Sequence, residues 1–353
     1  MLVFEYDSFL TEPITEMLKH YYNLPTLERS MQEPNLYKIR LFDSKENNHY
    51  YRQWHVENST AWVHIMHGMA EHSARYGHLA KFLNAQGISV TADDHRGHGT
   101  TGHNADSLYH IADSDSWNKL ILDQWQLINH LVSSHTVPLI IMGHSMGSYM
   151  ALRFCQKYAR HLNKRASISL CGLILSGSGY TAPSQSKVAR GIAYIERLRL
   201  GREKPSPILE HLSTGHFNRQ FEPVRTVKDW ISSDPAVVDS YIKDPWCGGA
   251  LSTQSWFDLL GGLMDIFRQN WQQTLPKNLP IYLFSGDLDP VGNSGVAVKI
   301  LRDKLLQGNI GKVAMRLYPS GRHEMLNEIN RDEVYGDLLH WLNQIIHATD
   351  NLP

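Results

Sequence analysis

Ser145 lies in the run Gly143-His144-Ser145-Met146-Gly147, between the apolar residues 138–142 and an amphipathic stretch over 148–157. An apolar run that gives way to a helical period predicts a strand, a sharp turn and a helix, with the serine on the turn. A hydroxyl held there projects at a helix head, where unpaired backbone N–H groups favour an anion. The flanking glycines are expected to supply torsions that a Cβ would obstruct and to let neighbouring elements pass close by. Nucleophilic attack is the chemistry this arrangement suits, given a base and an acid to orient it.

A serine hydroxyl is a weak nucleophile at neutral pH and needs a histidine whose second ring nitrogen is held by a carboxylate. For a serine on such a turn the acid and the histidine follow it in that order along the chain, on loops beyond the C-terminal ends of strands. The apolar run 281–285 leads into Gly286-Asp287-Leu288-Asp289-Pro290-Val291, and the run 313–318 leads into Pro319-Ser320-Gly321-Arg322-His323-Glu324. Among the 20 histidines only His323, His340 and His347 follow the acidic turn, and the last two fall inside a helical pattern. His323 is therefore the candidate base. Asp289 is preferred over Asp287 as its partner, and Asp287 is expected to bond the local backbone of its own turn.

Acyl transfer also needs two backbone N–H groups aimed at the developing oxyanion. Met146, the residue after the serine, is one candidate. The other is Met69, because the run 61–66 leads straight into His67-Gly68-Met69-Ala70-Glu71-His72, where Gly68 lets the backbone approach a substrate.

These loops need a sheet to hold them. Residues 36–42 and 49–56 alternate in the manner of an antiparallel hairpin. Runs at 61–66, 88–92, 139–142 and 173–176 then read as strands apolar on both faces and joined by helix-length connections, which predicts a parallel sheet covered on both sides. From 179 to 276 the alternation stops. That stretch is helical in pattern, broken by Pro205, Pro207, Pro223, Pro235 and Pro245, and holds Trp230, Trp246, Trp256 and Trp271. The α/β rhythm resumes with strands at 281–285 and 313–318, a helix near 294–306 and a last helix over about 332–347. The expected organisation is an N-terminal extension over 1–35 with a short helix near 14–22, a core formed by 36–178 and 277–353, and an inserted helical cap over 179–276.

Composition narrows the function classes. Lys plus Arg number 34 against 35 Asp plus Glu, so the net charge of −1 provides no basic field for nucleic acid. Cys155, Cys171 and Cys247 are an odd number without a C-x-x-C pair, which fits free thiols in a reducing compartment. The first residues lack a basic region followed by an apolar core, and no apolar run approaches the ~20 residues of a bilayer span, so a cytoplasmic protein with at most peripheral membrane contact through the cap is expected. Asp94, His95, His98 and His103 do not have the spacing of a zinc motif, and His323-Glu324 is followed by Asn327 where H-E-x-x-H would place its second ligand. Neither a metal nor a cofactor is expected, and the Asp94 loop is read as bracing.

Five segments together resemble the α/β-hydrolase fold and, within it, the monoacylglycerol lipase and lysophospholipase-like serine hydrolases: His67 to Tyr76, Asp94 to Gly99, Gly143 to Gly147, Gly286 to Val291 and Arg322 to Glu328. They run in the family's order from about residue 60 onward. The resemblance implies Ser145 as nucleophile, Asp289 as orienting acid, His323 as base and Met69 with Met146 as oxyanion donors. It further implies a helical cap between the sixth and seventh strands, and Phe217 to Phe221, Asp229-Trp230 and Asp244 to Gly249 resemble the cap of bacterial lysophospholipase-like members. Met69 is larger than the residue often found there, and residues 1–35 have no counterpart. The substrate implied is an amphipathic acyl ester, a monoacylglycerol or lysophospholipid, cleaved through an acyl-enzyme. Two alternatives are an aminopeptidase of the proline iminopeptidase type, whose oxyanion loop carries a second Gly and a Pro after His-Gly, and a hydrolase-like ligand-binding protein without turnover.

Overall fold

A computed structural model describes residues 35–40, 48–132, 137–164 and 169–350. Of the extension expected over 1–35, residues 1–34, including the helix expected near 14–22, lie outside them. Eight strands form one sheet: β1 (Asn35–Arg40), β2 (Asn48–Trp54), β3 (Ala61–Met66), β4 (Ile88–Asp94), β5 (Leu139–His144), β6 (Leu170–Ser176), β7 (Ile281–Gly286) and β8 (Val313–Tyr318). Their order is β1-β2-β4-β3-β5-β6-β7-β8. β1 and β2 pair antiparallel as the predicted hairpin, β2 joins β4 antiparallel, and the remaining pairs are parallel.

Both faces are covered because the strand residues alternate between two cores. Trp62, Met66, Leu139, Ile141, Leu173 and Leu175 face one cluster, with helices α3 (Ser116–Leu131) and α4 (Met146–Leu162) packed on them. Val63, Ile65, Ile140, Met142, Ile174 and Phe284 face the other, under α1 (Gly77–Ala85) and α10 (Arg331–Asp350). A strand's side chains alternate with period two, so six-residue strands that are apolar throughout must serve two cores at once. Each large side chain buried this way stabilises the fold by about 1.5–3 kcal/mol. Two further helices belong to the core, α2 (Gly99–Asn104) after β4 and α9 (Val296–Gln307) after β7. This is the α/β-hydrolase fold.

Between β6 and β7 lie α5 (Pro183–Leu200), α6 (Pro207–Ser213), α7 (Pro235–Lys243) and α8 (Thr253–Ile266). Proline opens α5, α6 and α7 at a position where the missing N–H costs nothing, and Ser206, Asp234 and Ser252 cap α6, α7 and α8. Of the breakers that ended the α/β rhythm, Pro207 and Pro235 are thus helix starts. No helix of the described residues is long and apolar enough to cross a membrane.

Candidate active site

The loops after β3, β5, β7 and β8 emerge from the same edge of the sheet, as parallel pairing requires. At the end of β5 the chain turns through Ser145 with φ 51° and ψ −120° before α4 begins at Met146. The serine N–H donates to the Ser176 carbonyl at 2.9 Å, and its own carbonyl accepts from the Ser148 N–H at 2.9 Å. Holding a non-glycine residue there costs of order 1–3 kcal/mol, which the packed strand and helix sustain.

The glycines do not share that strain. Neither Gly143 nor Gly147 is among the residues with positive φ, so the torsional role expected of them belongs to Ser145 itself. Their function is close approach. A Cβ on Gly143 would lie 2.1 Å from the Gly147 carbonyl oxygen, and one on Gly147 would lie 2.0 Å from that of Met66. The first turn of α4 can therefore lie against the ends of β5 and β3, bringing Ser145 beside the Gly68 loop.

Asp289 is fully buried, and its Oδ1 accepts from His323 Nδ1 at 2.9 Å and from the Val291 N–H at 2.9 Å. Oδ2 accepts from Ser285 Oγ at 2.7 Å. Asp287 instead accepts from the Ser320 N–H at 2.8 Å. It ties the β7 loop to the neighbouring β8 loop rather than bonding its own turn, because the two parallel strands deliver their loops side by side, with the Asp287 N–H also bonded to the Tyr318 carbonyl at 3.0 Å. His340 is exposed on α10 and bonded to Gln344 at 2.9 Å, and His347 is exposed on the same helix.

His323 is only 3% exposed. It packs between His144, with ring centroids 4.8 Å apart, and Trp230, at 5.1 Å. Gly177 makes this possible, since a Cβ there would sit 2.9 Å from His323 Cε1 and 3.1 Å from His144 Cε1. Burial pulls the His323 pKa down, but the Asp289 carboxylate overrides it and the net shift is upward. Asp289 moves the opposite way: burial raises it, while His323 and the hydrogen bonds lower it on balance. His144 is held at about 4 by burial and by its proximity to His323, so it stays neutral beside the ring that must ionise.

Ser145 and His323 line one cavity of about 40 Å³, together with Gly68, Met69, Glu210, Lys228 and Trp230. Gly68 donates its N–H to Glu71 Oε1 at 2.5 Å, and Met69 beside it lines the cavity. Met146 begins α4, where the first N–H groups have no intrahelical acceptor.

A buried network behind this cavity escaped the sequence reading. Arg75 bonds Glu71 at 2.8 Å and Glu324 through both guanidinium branches at 2.7 and 2.6 Å. Burial would raise the Glu71 pKa, but Arg75, His144 and His67 hold it down to about 2. The bound cation matters, because an uncompensated carboxylate beside the oxyanion position would oppose the charge that develops there. Glu71 and Arg75 stand four apart, a visible clue, but their pairing with the residue after His323 is a contact across 249 positions. Trp230 also acts through the backbone: its carbonyl accepts the His323 N–H at 3.4 Å, and that of Ile231 accepts the Glu324 N–H at 2.8 Å.

Asp94 braces as expected, accepting from the Ser73 N–H at 2.9 Å, the Thr100 N–H at 2.8 Å and Arg52 at 3.2 Å. His95 Nδ1 bonds Asp93 at 2.8 Å and His98 Nδ1 bonds the Arg96 carbonyl at 2.9 Å, so these rings are held by the protein itself. Among the described residues the group with ligand-like spacing is His72, Asp244 and Cys247. Its His72 Nε2 is already bonded to Asp244 at 2.8 Å, away from the Ser145 cavity. Trp256 and Trp271 belong to the core, and Trp230 is the cap-region tryptophan lining the cavity.

Comparison with known proteins fits this geometry. The profile of the family described as "Serine aminopeptidase, S33" matches residues 57–330. The chain is 28% identical over 286 residues to a monoacylglycerol lipase of Mycolicibacterium smegmatis, covering 79% of this chain and 87% of that protein. A thermostable carboxyl esterase from Bacillus coagulans, solved with glycerol, superposes with a TM-score of 0.79 at 29% identity over 89% of this chain and 99% of the other. A soluble variant of the Saccharomyces cerevisiae monoglyceride lipase shares the fold, with a TM-score of 0.67 at 20% identity over 89% of this chain and 96% of the other.

Proposed function

We propose what this chain does from one premise: it belongs to the serine aminopeptidase S33 family of α/β-hydrolases. It is a carboxylic-ester hydrolase of the monoacylglycerol lipase-like kind, and its finer chemistry is cleavage of medium- or long-chain acyl esters, of monoacylglycerol or lysophospholipid type, through an acyl-enzyme. The observation that carries this reading is the buried Asp289–His323 bond on the cavity that Ser145 lines. With Nδ1–H donated to Asp289, His323 Nε2 is the acceptor that takes the Ser145 proton as the hydroxyl attacks the ester carbonyl. The same nitrogen passes that proton to the leaving alcohol, then takes one from water to release the acid. The N–H groups of Met69 and Met146 stabilise the oxyanion, each by on the order of 3 kcal/mol.

Residues 179–276 act as the cap over this site. Val188, Ile195 and Leu198 on α5 are 68%, 62% and 68% exposed, an apolar strip suited to transient contact with a lipid surface from which the substrate is drawn.

The family's name points to a peptidase, and Glu210 in the cavity is the feature that would suit one, as a carboxylate for a free α-ammonium. Thr214 Oγ1 already donates to that carboxylate, and the His67-Gly68-Met69-Ala70 loop lacks the second Gly and the Pro of the proline iminopeptidase type. A substrate panel separates the readings. p-Nitrophenyl esters should be hydrolysed with kcat/KM rising from short to medium acyl chains, and aminoacyl amides should turn over at least about a hundredfold more slowly. Preference for the amides would reject the ester-hydrolase reading.

The pH profile gives a second check. Activity requires neutral His323, whose pKa is raised by Asp289. Activity is therefore lost as pH falls through that raised value, and the acid limb of kcat/KM should be centred above the ordinary histidine value of 6.5. A limb centred below 6.5 would mean that another group serves as base.

A further inference from the structure

We propose that Lys228, the indole N–H of Trp230 and the carboxylate of Glu210 form a headgroup-reading site, and that the headgroup it selects carries a phosphate. This rests on the ester-hydrolase reading above and adds which alcohol half of the ester is preferred.

All three residues line the cavity that holds Ser145 and His323, and all three come from the segment between β6 and β7. The Trp230 Nε1–H is buried and has no hydrogen-bond partner among the described residues. Lys228 bonds Thr226 through its backbone N–H at 3.2 Å, but its side chain forms no hydrogen bond or ion pair among the described residues. Partial burial lowers its pKa, with the Glu210 charge acting in the opposite sense. Glu210 uses one oxygen to accept from Thr214 Oγ1 at 2.7 Å.

The other cation nearby is already committed: Arg75 pairs with both Glu71 and Glu324, which share its single positive charge. What the lining offers a ligand is thus an unpaired cation with a carboxylate beside it, and an unpaired indole N–H that is covered in this structure. A buried donor or cation without a partner is unfavourable until something supplies an acceptor or an opposite charge. Glycerol hydroxyls accept hydrogen bonds but bring no charge. Phosphate oxygens accept only and carry the charge that Lys228 lacks. Glu210 then suits an ammonium further along a zwitterionic headgroup.

Headgroup entry into the space of about 40 Å³ beside Ser145 would require the segment that carries these residues to yield outward. The site therefore discriminates during closure over a bound ester, when unpaired groups are desolvated a second time.

The test compares 1-acyl lysophosphatidylethanolamine and 1-monoacylglycerol of one chain length, each below its critical micelle concentration, and reads the ratio of their kcat/KM values. A ratio taken on one preparation is insensitive to any loss of folded enzyme. The wild-type ratio should favour the phosphate-bearing ester. Lys228→Gln should lower it about tenfold or more, chiefly through KM for that ester; Lys228→Glu should lower it further, and Lys228→Arg should restore it to within about threefold. Trp230→Phe, which keeps the ring and removes the donor, should lower it about threefold to tenfold. A wild-type preference for monoacylglycerol, or a ratio unmoved by Lys228→Gln, overturns the headgroup assignment while leaving the ester-hydrolase reading in place. Failure to turn over either ester would instead sink that earlier reading, and this one with it.

Discussion

Ser145→Ala should abolish ester turnover, with kcat lowered by about 10⁴- to 10⁶-fold and substrate binding largely retained. The serine oxygen is the atom that would carry the acyl group, and nothing else on the cavity lining replaces it: His144, its neighbour, is held neutral at about 4 and bonded to Ser176 Oγ at 3.1 Å. Alanine has the same Cβ at the same φ of 51°, so the strain of the turn and the overall stability should hardly change. Ser145→Gly should be equally inactive but more stable, because glycine adopts that torsion without penalty. Burst kinetics with a p-nitrophenyl ester, one equivalent of nitrophenol per Ser145, provide the positive counterpart in the wild type. Persisting turnover in Ser145→Ala would assign the nucleophile elsewhere.

Asp289→Asn should lower kcat by about 10² to 10⁴-fold and also move the pH profile, which separates a loss of orientation from simple unfolding. The carboxylate accepts three hydrogen bonds, from His323, Val291 and Ser285. An amide can satisfy those three donors only if the Ser285 hydroxyl turns round to accept. Where the amide NH₂ faces His323 instead, the imidazole is forced into the tautomer that cannot take the serine proton. In either arrangement the charge that raises His323 is gone, while the burial that lowers it remains. The acid limb of kcat/KM should therefore shift to lower pH than in wild type even as the maximum falls. A variant that loses activity with an unmoved acid limb would show that Asp289 does not set the base.

The legible part of this chain is the part built from local pattern. Strands β3 and β8 coincide with the runs expected at 61–66 and 313–318, because short, largely apolar runs bounded by polar turns suit strands; β3 is buried throughout, whereas β8, at the sheet edge, is mostly half-buried with Arg316 exposed. The loops after them could be ranked because a parallel sheet must deliver its C-terminal ends to one edge. Order along the chain then reduced 20 histidines to three. Close approach at Gly143 and Gly147 is local enough to foresee, but which residue takes the positive φ depends on how α4 seats against β3 and β5.

Sequence by itself determined the fold class and named the candidate triad and the candidate oxyanion loop, since these follow from periodicity and from residue types at fixed places on strand ends. Tertiary structure decided which charges meet. Glu71, Arg75 and Glu324 form one buried network, and Lys228, Trp230 and Glu210 line the cavity beside Ser145. The physical reason is that electrostatic pairing in a low-dielectric interior depends on distance in space, and a helical insertion with irregular breaks carries no period from which that distance can be read.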